Sequence, residues 1–280
     1  MSQLFLNAEG RLRNVLWVVV FFFFLSAIVI PMIFIAQNFS IEITFWHQVV
    51  VIAITSLICQ RLSGNAMSSL FGSSASFWRE LLIGLCVGSL VMLIPALILS
   101  GLGLVLWDLN QPITNELFVA IWMMSGVVVA EELLFRGFIF QRLIAGLGEW
   151  PAQLIVSSLF LLTHSKNLDI YGPTKGLAIA NIFTASILLG MAYIKTKSLT
   201  MPIALHLSAN IMQGTILGFS VSGHGETSIL IPEIAPGYEV FTGGSFGIEA
   251  SLFGLLTLWL GLYIFYFRYD KIEFLKGHKL

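Results

Sequence analysis

Charged residues are scarce in this chain. Lysine and arginine total 14, and aspartate and glutamate 15, which is 10% of 280 residues. Soluble domains average roughly 25%, so an ordinary globular protein is excluded. With 57% hydrophobic residues and a mean hydropathy of +0.91, the composition is that of an all-α, polytopic integral membrane protein. A net charge of −1 offers nothing to hold nucleic acid. Cysteine is nearly absent as well. Cys59 and Cys86 fall in or beside apolar runs and read as small buried hydrophobes rather than a disulfide, and no zinc-type cysteine spacing exists.

What the chain has is long apolar runs. Eight candidate spans can be counted: Val15–Ala36, Ile41–Cys59, Leu81–Trp107, Glu116–Leu143, Pro151–His164, Gly176–Ile194, Leu199–Leu217 and Ile248–Phe267. The first resembles a signal peptide only superficially, because it is long enough to span and no small-residue cleavage site follows it. The third, with Gly84, Gly88, Pro95, Gly101 and Gly103, is expected to kink or tilt. The fifth is short, with Pro151 at its first helical position. With the N-terminus inside, 12 of the 14 basic residues fall on the cytoplasmic side and only Lys166 and Lys175 on the other. That asymmetry places both termini in the cytoplasm of a plasma (inner) membrane protein. No repeat or linker marks a second domain, so residues 1–280 read as one membrane domain.

The stretch AEELLFRG, Ala130–Gly137, sits inside the fourth run. Glu131, Glu132 and Arg136 each cost a few kcal/mol at that depth on insertion scales, so their presence needs a reason. Glu132 and Arg136 are four apart, on one helical face, with Glu before Arg as a helical ion pair prefers. Glu131 lies about 140° away from Arg136 around the helix. On this spacing Arg136 holds Glu132, and Glu131 is left free for chemistry.

Two further stretches place polar groups at depth. Phe160 and His164 are four apart in FLLTH, and His206 and Asn210 are four apart in HLSAN. At about 1.5 Å per residue, Glu131, His164 and His206 lie roughly 16, 20 and 14 Å from the nearest inner-side end of their helices. A carboxylate, two imidazoles and an amide on three helices therefore reach similar heights. The plainer alternatives are a structural Glu–Arg pair, histidines that only bond a neighbour, Asn181 and Asn210 as interhelical glue, and Phe160 as packing. His47 and Trp46 look interfacial, while His224 and His278 lie in loops or tails.

These three stretches, EELLFR, FLLTH and HLSAN, fit EExxxR, FxxxH and HxxxN in that order. The chain so resembles the CPBP family (CAAX protease and bacteriocin-processing, or Abi), intramembrane endopeptidases related to type II CAAX prenyl proteases. The motif-bearing core covers roughly residues 116–217. The resemblance implies that Glu131 and His164 activate a water and that His206 and Asn210 stabilise the oxyanion, with Glu132, Arg136 and Phe160 in support. It implies a membrane-embedded or lipidated peptide or protein as substrate, in contact with the lipid bilayer.

No cofactor is favoured. Glu131, His164 and His206 would also make a catalytic zinc set with a vacant water position, although there is no HExxH. A proton-coupled transporter would also carry Glu, His and Arg at the midplane, but should show matching broken halves, which the sequence lacks. A non-catalytic scaffold or immunity protein would keep the fold without turnover.

Overall fold

The computed structural model describes residues 5–6, 10, 12–66, 76–110, 114–168, 172, 174–225, 227–267 and 269. Most of the serine- and glycine-rich loop after Arg61 lies outside the described residues, as do Arg11, Arg268, Lys271, Lys276, His278 and Lys279.

Helices dominate, as the composition requires. In chain order they are α1 (Asn14–Phe39), α2 (Phe45–Leu62), α3 (Phe77–Gly101), α4 (Thr114–Arg136), α5 (Phe138–Leu147), α6 (Glu149–Thr163), α7 (Ser165–Leu168), α8 (Lys175–Thr196) and α9 (Thr200–Asn210). A π-helical segment, Ile211–Ile216, extends α9. After a short α10 (Glu239–Thr242), α11 (Leu252–Phe267) closes the described chain.

The expected count of eight spans is not confirmed. Among the described residues, five segments are long and apolar enough to cross a membrane: α1, α2, α3, the 34-residue stretch Thr114–Leu147, and α8. The helices at the other three positions are shorter, at 15 residues for α6, 11 for α9 and 16 for α11. Shortness has local causes. The α6 helix stops at Thr163 beside His164, and α9 gives way to the wider π turn at Asn210. The sequence Ile248–Ala250, expected to begin the last span, is instead a 3₁₀ turn.

Three other expectations are corrected. Val105–Leu109, including Trp107 of the expected third span, forms β1, which pairs antiparallel with β2 (Leu230–Ile234). The fold is thus helical with one small two-stranded sheet. Trp107 anchors that sheet by donating its indole N–H to the Leu217 carbonyl at 3.0 Å. Pro151 occupies the third position of α6, still in the first turn, where a missing N–H costs no helical bond. Of the two cysteines, Cys59 is buried as expected but Cys86 is exposed on the outside of the bundle.

Packing fixes the helices that carry the motifs. The α3 and α9 helices meet along Gly84 and Gly88. A Cβ at Gly88 would collide with the Leu205 carbonyl and the Ser208 hydroxyl, so only glycine permits this approach. Pro95 lies within a continuous α3. On the other flank, α8 crosses α6 at Gly190, where a Cβ would overlap the Gln153 amide. Gln153 in turn donates to the Ile187 carbonyl at 3.1 Å. Gly137 separates α4 from α5, and a Cβ there would meet the Leu133 carbonyl. Beneath the break, Phe138, Phe140, Leu143 and Phe21 form a fully buried apolar layer with Tyr193.

Candidate active site

Inside this bundle is a cavity of about 470 Å³. Its wall includes Glu131 from α4, Phe160, Thr163 and His164 from the end of α6, and His206 and Asn210 from α9. All four side chains singled out as chemical in the sequence face this one space.

The adjacent glutamates part ways. Glu132 and Arg136 are completely buried, whereas the Glu131 side chain keeps 26% of its surface accessible. Arg136 Nη1 donates to Glu132 Oε1 at 3.0 Å. Its Nη2 donates to the Ser186 carbonyl at 3.0 Å and to the Ser186 hydroxyl at 2.8 Å. A buried guanidinium needs partners for its fixed fork of donors, and α8 supplies two of them. The same Glu132 oxygen accepts from His206 Nδ1 at 2.8 Å. Glu132 therefore ties α4 to α9 as well as holding Arg136.

That hydrogen bond decides which nitrogen of His206 faces the cavity. A carboxylate only accepts, so Nδ1 carries the proton and Nε2 is presented inward, 3.8 Å from Glu131 Oε2. His164 follows the same pattern. Its Nδ1 donates at 2.8 Å to the Phe160 carbonyl, one of the last-turn acceptors of α6 that lack a helical partner, leaving Nε2 free. Thr163 donates its hydroxyl to that carbonyl at 2.7 Å. Asn210 Nδ2 approaches the Met124 sulfur at 3.5 Å, a weak acceptor.

Phe160 sits in the middle. Its ring lies 5.1 Å from the Arg136 guanidinium carbon, 4.7 Å from the His164 ring and 6.2 Å from the His206 ring, and packs edge-on to Phe135 at 5.1 Å. The cation–π contact and the two imidazole contacts make it the spacer that sets both histidines relative to the ion pair. Of the other polar residues, Asn181 donates to the Ser251 and Leu177 carbonyls at the cavity wall. His47 Nδ1 accepts the Thr44 backbone N–H at 3.1 Å and caps α2. His224 contributes to the cavity's rim.

Several residues here were not singled out in the sequence. Ser186 gave no signal, since a lone serine in an apolar helix usually bonds its own backbone. Met124 and Val127 were legible in principle, being seven and four residues before Glu131 and hence on its face. Ser222 and Glu249 come together only through the fold: Ser222 N–H and Oγ both donate to Glu249 Oε2, at 2.7 and 3.1 Å. Among the described residues, no group of three or more His, Cys, Asp or Glu side chains is arranged to hold a metal ion.

A carboxylate, two oriented imidazoles and a carboxamide are gathered in one cavity of a helical bundle, and side chains of these types can carry acid–base chemistry. Residues 112–212 match the family model described as type II CAAX prenyl endopeptidase Rce1-like. That segment contains EELLFR, FLLTH and HLSAN, so the motif resemblance and the family match coincide. A search among curated proteins gave no match.

Proposed function

We propose that the protein is an intramembrane endopeptidase that hydrolyses a peptide bond of a membrane-associated or lipidated chain without a metal. The observation that carries this reading is the convergence of Glu131, His164, His206 and Asn210 on one cavity, with Glu131 the accessible carboxylate of an otherwise paired set. The family match supports the protease class.

In this mechanism Glu131 accepts a proton from a water whose oxygen attacks the scissile carbonyl carbon, with His164 Nε2 orienting that water. Electrons of the carbonyl π bond move to its oxygen. His206 and Asn210 then donate hydrogen bonds to the oxyanion. To donate from Nε2 while Nδ1 donates to Glu132, His206 must be protonated. Its charge and that of Arg136 then balance the two glutamates, which suits a buried cluster. Collapse of the tetrahedral intermediate breaks the C–N bond, and the leaving amine takes the proton from Glu131. Met124 would release the Asn210 amide as the oxyanion forms.

The test is peptide cleavage by the purified protein in detergent or proteoliposomes, with Glu131→Gln as the control. Glu131→Gln keeps the shape and removes the base, so it should fold like the parent and lose turnover. Cleavage at the parental rate by that variant would refute the assignment.

A further inference from the structure

The cavity has a closed end and an open end, and the chain's charge asymmetry says which side of the membrane each faces. Toward the end that holds the expected cytoplasmic loops, the floor is sealed. Glu132, Arg136, Ser186, Phe138 and Phe140 are each 1% exposed or less, and none of them lines the cavity. At the opposite end the rim consists of Phe45 at the start of α2, Thr163 at the end of α6, and Ser222, His224 and Glu249 from the segment between the π turn and α11. Thr163, His224 and Phe45 are exposed.

All of these rim residues belong to one end of the bundle if α1, α2, α3, α4, α6, α8, α9 and α11 run alternately up and down, as their order along the chain implies. Among the described basic residues outside the buried cluster, Arg13, Arg61, Arg79, Arg142, Lys195 and Lys197 lie toward the sealed end, and Lys166 and Lys175 toward the open end. Basic residues are retained in the cytoplasm when short loops are sorted during insertion.

We propose that the catalytic cavity opens on the extracytoplasmic side of the membrane and takes its peptide from there. The substrate class that follows is the outward-facing juxtamembrane segment of a membrane-anchored or exported chain, so export must precede cleavage. The substrate part of this inference rests on the endopeptidase reading; the side on which the cavity opens does not.

The rim itself is shaped for a fixed opening. Val221 and His224 exchange two backbone hydrogen bonds, at 2.8 and 2.9 Å, closing a tight turn with Ser222 at φ 48°. Glu249 pins that turn through its two bonds to Ser222. A stable turn at the mouth gives a defined place to report on accessibility.

The experiment uses the full chain in a Cys59→Ala/Cys86→Ala background, with single cysteines at His224 or Thr163 on the rim and at Ala66 at the other end. Intact bacterial cells are treated with a membrane-impermeant maleimide, and then lysed and treated with a second label. The expected result is that His224→Cys and Thr163→Cys react before lysis, while Ala66→Cys reacts only after it. Rim cysteines that stay unlabelled until lysis, or an Ala66→Cys that reacts in intact cells, overturn the proposal. Adding Glu131→Gln should leave the labelling pattern unchanged, so failure of the orientation and failure of the endopeptidase reading are distinguishable.

Discussion

Glu132 accepts the Nδ1 proton of His206 at 2.8 Å while it pairs with Arg136 at 3.0 Å through the same oxygen. The buried ion pair is thus part of the site, because the carboxylate that neutralises the arginine also fixes the imidazole. Stability and activity should respond differently to changes at these positions.

Arg136→Ala strands a fully buried carboxylate, and breaking such a pair from one side costs about 3–5 kcal/mol. Folded yield and thermal midpoint in detergent should fall. Glu132→Gln/Arg136→Gln removes both charges and should recover much of the yield, but not activity, since His206 loses its anionic partner. A double variant as active as the parent would show that Glu132 does not serve the site.

Asn210→Ala removes one proposed oxyanion donor and leaves Glu131, His164 and His206 in place. Turnover should drop by roughly 10²–10³ with little change in KM, as expected for a contact made in the transition state. A rise in KM at constant kcat would instead make Asn210 a binding residue.

Gly88→Val places two methyl groups where the Leu205 backbone already sits. Overpacking of this kind costs about 1–3 kcal/mol and must push α9 away from α3. Thermal unfolding should shift downward, and residual activity should fall with it because α9 carries both His206 and Asn210. An unchanged midpoint would mean that the two helices can separate without penalty.

Phe160→Ala opens a void among Arg136, Phe135 and both imidazoles, and losses for buried Phe→Ala run to about 3–5 kcal/mol. Phe160→Leu should retain most of the stability and still impair cleavage, because the histidines lose the flat surface that spaces them. Parental cleavage by Phe160→Leu would reduce Phe160 to packing.

Strong chelators should leave peptide cleavage intact, and metal analysis of the pure protein should find no stoichiometric zinc. Activity that is lost to chelation and restored by zinc would transfer Glu131, His164 and His206 to the role of ligands.

The helical fold and the motif residues were legible because they depend on local periodicity. Spacings of four put His206 beside Asn210, and the apolar runs located the long helices, although the third ran past the end of α3 at Gly101 into β1. What sequence could not show were features made by distant segments. Trp107 reads as the end of an apolar span, yet it lies in a strand because Leu230–Ile234 returns to pair with it. Glu132 reads as the partner of Arg136 alone, since nothing local indicates that His206, 74 residues later, approaches the same oxygen. The count of eight spans is not confirmed for a related reason. Apolar length was assigned to single straight helices at α6 and α9, where the site interrupts them.

The turn pinned by Glu249 lies beyond the residues that match the protease family, which end at 212. The groups proposed to break the bond and the Val221–His224 turn at the mouth therefore reside in separate stretches of the chain. On the proposed function, the mouth would be open to rewriting apart from the cutting groups, much as a lock can be rekeyed without replacing its bolt. Exchange of residues 217–251 with those of a relative should redirect which peptides are admitted and leave the bond-cleaving step unaltered.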